Sequence, residues 1–104
     1  STLPDLALLD VKASKTGRYL AFDVLITNQG LDDANSVVLA VFAGDVQIKE
    51  FPLYSISIGT RKSLTVENLR IPSDANTITF NVFMENGEAE IALDNNKAVL
   101  TLGS

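Results

Sequence analysis

Neither cysteine nor histidine occurs anywhere in the 104 residues. Their absence removes thiol nucleophiles, zinc sites of the usual Cys/His type, and Ser-His or Cys-His catalysis. No disulfide can form, so apolar burial must hold the fold unaided. Basic residues are also few, eight Lys and Arg against thirteen Asp and Glu, for a net charge of -5. They are scattered along the chain. Nucleic acid and anionic membranes demand clustered cations, so neither is expected as a partner. Long apolar runs are missing too. The longest, Val37 to Ala43, falls far short of the roughly 20 residues of a membrane helix, and no membrane insertion is expected. The abrupt start at Ser1 and the terminal Gly103-Ser104 read as the ends of a piece cut from a larger protein.

What is present is alternation. In YLAFDVLITN (19–28), Leu20, Phe22, Val24 and Ile26 share one face. In TITFNVFMEN (77–86), Ile78, Phe80, Val82 and Met84 do the same. A period of two marks strands that bury one side. Turn signals punctuate them: Lys15-Thr16-Gly17, Asn28 to Asn35, Gly44-Asp45, Pro52, Gly59-Thr60, Pro72-Ser73-Asp74, Asn86-Gly87 and Asp94-Asn95-Asn96. The spacing predicts strands over 5–13, 19–28, 36–43, 46–51, 62–71, 77–86 and 97–102, with no helix. About seven short strands at this spacing indicate an all-β, antiparallel, immunoglobulin-like β-sandwich. No repeat or linker breaks the chain, so 1–104 reads as a single domain. The segment LYSISI (53–58) alternates but lies among turn signals. The expected core is Leu8, Leu20, Phe22, Val24, Ile26, Val38, Val41, Phe42, Leu64, Val66, Ile78, Phe80, Val82 and Leu100. Val41 and Phe42 are adjacent, so one must face outward or a bulge must intervene.

Several of these signals, in order, resemble the bacterial cell-adhesion-related domain, CARDB. They are the opening Pro4-Asp5-Leu6, the Asn28-x-Gly30 turn closing VLITNQG, and the Gly44-Asp45 turn after VVLAVFA. The Gly-led IGTRKSLTV (58–66) and the acid followed by Asn95-Asn96 complete the set. The resemblance covers nearly the whole chain. Two departures stand out: EAEIALDNN spreads its acids, where family members often place two directly before the asparagines, and the connection into the fifth strand looks longer. The resemblance implies a non-catalytic sandwich module of a secreted or surface-anchored prokaryotic protein, acting as spacer or adhesion unit. A more distant sandwich, such as an archaeal surface-filament or S-layer-associated domain, is the alternative.

Candidate sites are sparse. Asp94, with Asn95 and Asn96, offers oxygens suited to calcium, and Asp32 and Asp33 could join it if the loops meet. The simpler reading assigns Asn28, Gly30, Gly44, Asp45, Asp94, Asn95 and Asn96 to turns, because Asn and Asp side chains bond nearby backbone. Glu85, Glu88 and Glu90 could supply a carboxylate pair only within a cleft, and hairpin edges are commonly charged to block aggregation. Ser55, Ser57 and Ser63 lack a histidine base and a nucleophile elbow. No catalytic residue, metal or cofactor is therefore expected. Tyr19, Leu25, Leu53 and Tyr54 are predicted on outer faces, where they could meet a protein partner or a carbohydrate. The isolated domain is expected to be a monomer outside the cell or on its surface.

Overall fold

A computed structural model describes residues 3–85 and 96–102. Among these residues seven strands follow one another: β1 (Leu6–Thr16), β2 (Tyr19–Asn28), β3 (Ala34–Ala43), β4 (Val46–Ile56), β5 (Arg61–Arg70), β6 (Thr77–Met84) and β7 (Lys97–Thr101). They form two antiparallel sheets, β1-β2-β5 and β4-β3-β6-β7. The inward residues of β2 and β6 alternate as their sequences require. Phe22 of one sheet meets Phe51 and Phe80 of the other, edge to face, with ring centroids 5.7 and 5.0 Å apart. Each large side chain buried in this layer contributes about 1.5–3 kcal/mol.

Several expectations are corrected. Strand β4 does not stop at Pro52 but runs on to Ile56, taking in most of the ambiguous 53–58 segment. It is an edge strand, where a missing N–H breaks no ladder, and Pro52 sits opposite Val38. Leu53, expected outside, is buried in the core. The register against β3 slips around Leu53-Tyr54, and Tyr54 takes a φ of 65°. The connection into β5 is consequently short, not long. On β3, Val37, Leu39, Val41 and Ala43 face the core. Val38 is buried but lies outside the core cluster, and Phe42 is half-buried beside a depression on the outer face. A slip in β4 opposite Val41 and Phe42 accommodates the pair. Leu8, Leu64, Val66 and Leu100 pack at the core margin. Leu6, Ile56, Ile71 and Leu102 are core residues that alternation did not single out, and Met84, on the alternating face of 77–86, joins them in the core.

Positive φ angles at Ser36, Tyr54 and Asn68 mark bulges or irregularities in β3, β4 and β5. Asn tolerates this region, but a tyrosine there is strained. Tyr54 is 70% exposed, so little burial is lost with it. Tyr54→Gly is expected to raise the unfolding free energy by about 1 kcal/mol in urea titrations. A loss of stability would show that the tyrosine ring contributes more than its backbone costs.

The sandwich is elongated, 46 × 22 × 19 Å. One end gathers the start of β1, the end of β2, the start of β3 and the β4–β5 connection. The other holds the Gly17 and Gly44 hairpins and the end of β7. At Gly44-Asp45 the strands reverse in two residues, which places Gly44 at a φ of 58°. Its amide donates to the Thr77 carbonyl, tying that hairpin to β6. The chain thus enters at one end of the long axis and leaves at the other.

Candidate functional site

Of the residues singled out in the sequence, Asn28, Gly30, Asp32 and Asp33 gather at the entry end, while Gly44 and Asp45 form the hairpin at the other. The Asn28 side chain is fully buried, and its amide makes four hydrogen bonds. Oδ1 accepts from the Asp5 amide at 3.1 Å and from the Gly30 amide at 3.0 Å. Nδ2 donates to the Asp32 carbonyl at 2.6 Å and to the Ile56 carbonyl at 3.1 Å. Its own carbonyl accepts from the Gly59 amide at 2.8 Å. An amide side chain has two donors and an acceptor oxygen with two lone pairs, so Asn28 is saturated. One residue thereby fastens the entries of β1 and β3, the end of β4, and the β4–β5 turn to the end of β2.

Gly30 explains the third position of Asn-x-Gly. A Cβ there would lie 2.4 Å from the Asp5 amide nitrogen, 2.5 Å from the Leu3 carbonyl oxygen and 2.6 Å from the Pro4 carbonyl carbon. All three are backbone atoms and cannot swing aside. The entering strand crosses directly over this residue, held by Gln29 N–H to the Asp5 carbonyl and Leu31 N–H to the Leu3 carbonyl. Pro4-Asp5-Leu6 and Asn28-Gln29-Gly30 are therefore two halves of one latch, 23 residues apart in the chain.

The acids beside the latch are engaged with backbone. Asp33 Oδ1 accepts from the Ile58 amide at 2.9 Å, which joins the β2–β3 loop to the β4–β5 turn. Asp32 Oδ1 accepts from the amide of Asp33 at 2.9 Å. Asp5 is buried, with one carboxylate oxygen 3.3 Å from Gln29 Nε2. Thr27 Oγ1 donates to the Thr60 carbonyl, and Thr60 Oγ1 donates to that of Ser57. Among the described residues, no group of three or more acids is gathered as a metal centre. Asp94 and Asn95, with Glu88 and Glu90, lie outside the described residues. Asn96 is buried at the start of β7, and Glu85 is exposed.

The remaining candidates do not converge. Ser55 Oγ donates to Asn35 Oδ1 on the surface. Ser63 lines a shallow depression on the β1-β2-β5 face, with Asp10, Lys12 and Asp23. Tyr19 and Tyr54 are exposed, but they sit on different sheets, so they do not form one aromatic platform. Leu25 is half-buried on β2. A depression of about 310 Å³ on the other sheet is lined by Phe42, Gly44, Asp45, Thr79, Asn81 and Lys97. It has neither paired carboxylates nor a nucleophile with a base. Sequence reading did not foresee Lys15 and Lys62, which reach across from β1 and β5 to backbone carbonyls. Lys15 donates to Ser73 and Ala75, and Lys62 to Leu53 and Ser55. The available signal was a lysine at an inward-alternating position of each strand.

Two antiparallel sheets of three and four strands packed face to face make this an immunoglobulin-like β-sandwich module. The CARDB family model matches residues 3–99, and the chain belongs to this family. CARDB is a non-catalytic domain family. A CARDB domain from Pyrococcus furiosus, crystallised in complex with di-metal ions, superposes with a TM-score of 0.74 at 20% identity. That match covers 97% of this chain and 90% of the other. The solution structure of the Pyrococcus furiosus domain gives 0.77 at 21% identity, covering 98% and 97%. A domain of a Methanosarcina acetivorans protein, described as a cell surface protein, gives 0.77 at 19%, covering 98% and 94%. At such identities the likeness establishes the shared fold. No curated protein matches the chain.

Proposed function

We infer that this CARDB domain is a spacer and interaction module of a prokaryotic surface or secreted protein, without catalytic activity of its own. The observation that carries the reading is the long axis: β1 enters at one end and β7 leaves at the other, so the domain extends a chain by its 46 Å length. Support comes from the latch. At the entry end, Asn28, Asp32 and Asp33 are bonded to backbone groups and the entering strand crosses Gly30, which holds this end rigid. A module of this kind works through proteins, either neighbouring domains or surface partners.

Fused between two small folded reporters, the domain is expected to hold them at one narrow spacing that reflects its 46 Å axis, measured by spin-label distances. A broad distribution reaching short distances would contradict a rigid spacer.

The Pyrococcus furiosus relative carries di-metal ions. Among the described residues of this chain no three acids gather at one place, and Asp32 and Asp33 each accept a hydrogen bond from a backbone amide. Carbohydrate binding through the tyrosines has no platform to support it.

A further inference from the structure

Among the described residues the two sheets have four edges, and three are visibly blocked. Strand β4 carries Pro52, and its pairing with β3 is interrupted in register at three places. Strand β1 has a register slip at Leu8/Asp10, and its Lys15 reaches over the open side to Ser73 and Ala75. Strand β5 is kinked near Asn68, and its Lys62 reaches over to Leu53 and Ser55. Bulges, proline and inward-pointing lysines are the devices that keep sheet edges from pairing with other chains. Strand β7 has no bulge, proline or inward-pointing lysine, and is blunted only by its five-residue length and the exposed Lys97 at its start. Its register with β6 is unbroken from Lys97 to Thr101, its inward residues are Ala98 and Leu100, and Val99 is 55% exposed.

The backbone groups left open on β7 follow from one hydrogen bond. The Leu102 amide donates to the Asn76 carbonyl at 2.7 Å. Bonded and non-bonded pairs alternate along an antiparallel ladder. Leu100 and Ala98 are therefore bonded to Ile78 and Phe80, while Thr101, Val99 and Lys97 point their N–H and C=O groups away from the sheet. These three residues are symmetric about Val99.

We propose that β7 is an association edge that pairs antiparallel with β7 of a second copy of this chain, joining two four-stranded sheets into one. The two-fold axis passes beside Val99. Val99 then faces its own counterpart, and Lys97 faces Thr101 of the other copy. All three open residues on each side are used, two bonds per pair. The register also avoids placing lysine against lysine, and it sets the exposed valines together. A contact one short strand wide falls below the roughly 1,000 Å² of stable interfaces. Association of the free domain is accordingly weak, with a Kd of about 0.1–1 mM. Copies crowded on one surface or one filament reach such effective concentrations.

The test uses the 104-residue chain at concentrations up to about 2 mM, spanning that range. In sedimentation equilibrium the apparent mass is expected to climb from 11.2 kDa toward twice that value. Over the same range the Val99 and Thr101 amides are expected to gain protection from hydrogen exchange. Val99→Pro removes an outward N–H without touching the β6 ladder, and Val99→Lys sets two cations face to face. Both variants should stay monomeric and keep the wild-type melting temperature. Val46→Lys, at an equally exposed valine on β4, should associate like wild type. A wild-type chain that remains monomeric to 2 mM would overturn the proposal. So would association that survives Val99→Pro, or protection of the Val99 amide only when an unrelated peptide strand is added.

Discussion

Replacing Asn28 with alanine is expected to cost about 3–4 kcal/mol of unfolding free energy, a large share of the 5–15 kcal/mol typical of a domain. The reasoning is a count of orphaned groups. The substitution strips partners from the amides of Asp5 and Gly30 and from the carbonyls of Asp32 and Ile56. A neutral hydrogen bond contributes only about 1 kcal/mol net, but a buried group left without a partner costs about 1–3 kcal/mol. Not all four groups stay unsatisfied, because the Asp32 carbonyl is near enough to solvent to find water. Urea denaturation should show a lower midpoint with an unchanged slope, since the sandwich still unfolds as one unit. Asn28→Asp provides an internal control. It keeps the acceptor for Asp5 and Gly30 but turns a carboxylate toward two carbonyl oxygens, so it should be no better tolerated than alanine. A ligand-binding asparagine would behave differently, with alanine sparing stability and aspartate strengthening any cation site.

Gly30→Ala should be nearly as damaging, at about 2–4 kcal/mol, and through a different cause. The new methyl would overlap three backbone atoms of the entering strand, an overpacking that no side-chain rotation relieves. The cheapest escape is to lift residues 3–5 off the loop, which surrenders the Gln29–Asp5 and Leu31–Leu3 backbone bonds. Amide exchange should therefore speed up at Gln29 and Leu31, while β6, on the other sheet, stays protected. Because both substitutions act on the same crossing, the double mutant Asn28→Ala/Gly30→Ala should lose less than the two single losses added together. Strict additivity would mean that the two residues serve separate structures and that the latch is not a unit.

Much of the fold was readable from period-two alternation. β2 and β6 are central strands with one face on the core, so their patterns are clean, and their expected cores match the buried residues. β3 was harder because both its faces are covered: Val38 and Ala40 are buried outside the core cluster, which erases the alternation that would tell inside from outside. β4 was harder still. Proline is a stop signal only where a ladder needs its N–H, and whether a strand lies at an edge is a property of the whole sheet. The bulge at Tyr54 then inverted the expected orientation of Leu53. At the candidate site, residue types were visible but partners were not. Asn28-x-Gly30 reads as a turn, and nothing local says that its amide faces Asp5 and Ile56 or that a strand crosses its glycine. Those contacts exist only once both sheets have closed.

The central claim is that the asparagine and aspartate cluster at the entry end secures the fold, and we propose that it does so without a cation. The most direct measurement is the melting temperature of the wild-type chain in 1 mM calcium and in chelator, beside an Asp32→Asn/Asp33→Asn variant that keeps the same acceptor oxygens. A site with a Kd near 10 μM would add about 2.7 kcal/mol and raise the melting point by about 10 °C or more. The structure leads us to expect a difference within about 1 °C for both proteins. A rise of several degrees in calcium that disappears in the variant would contradict the account and assign the loop to a metal.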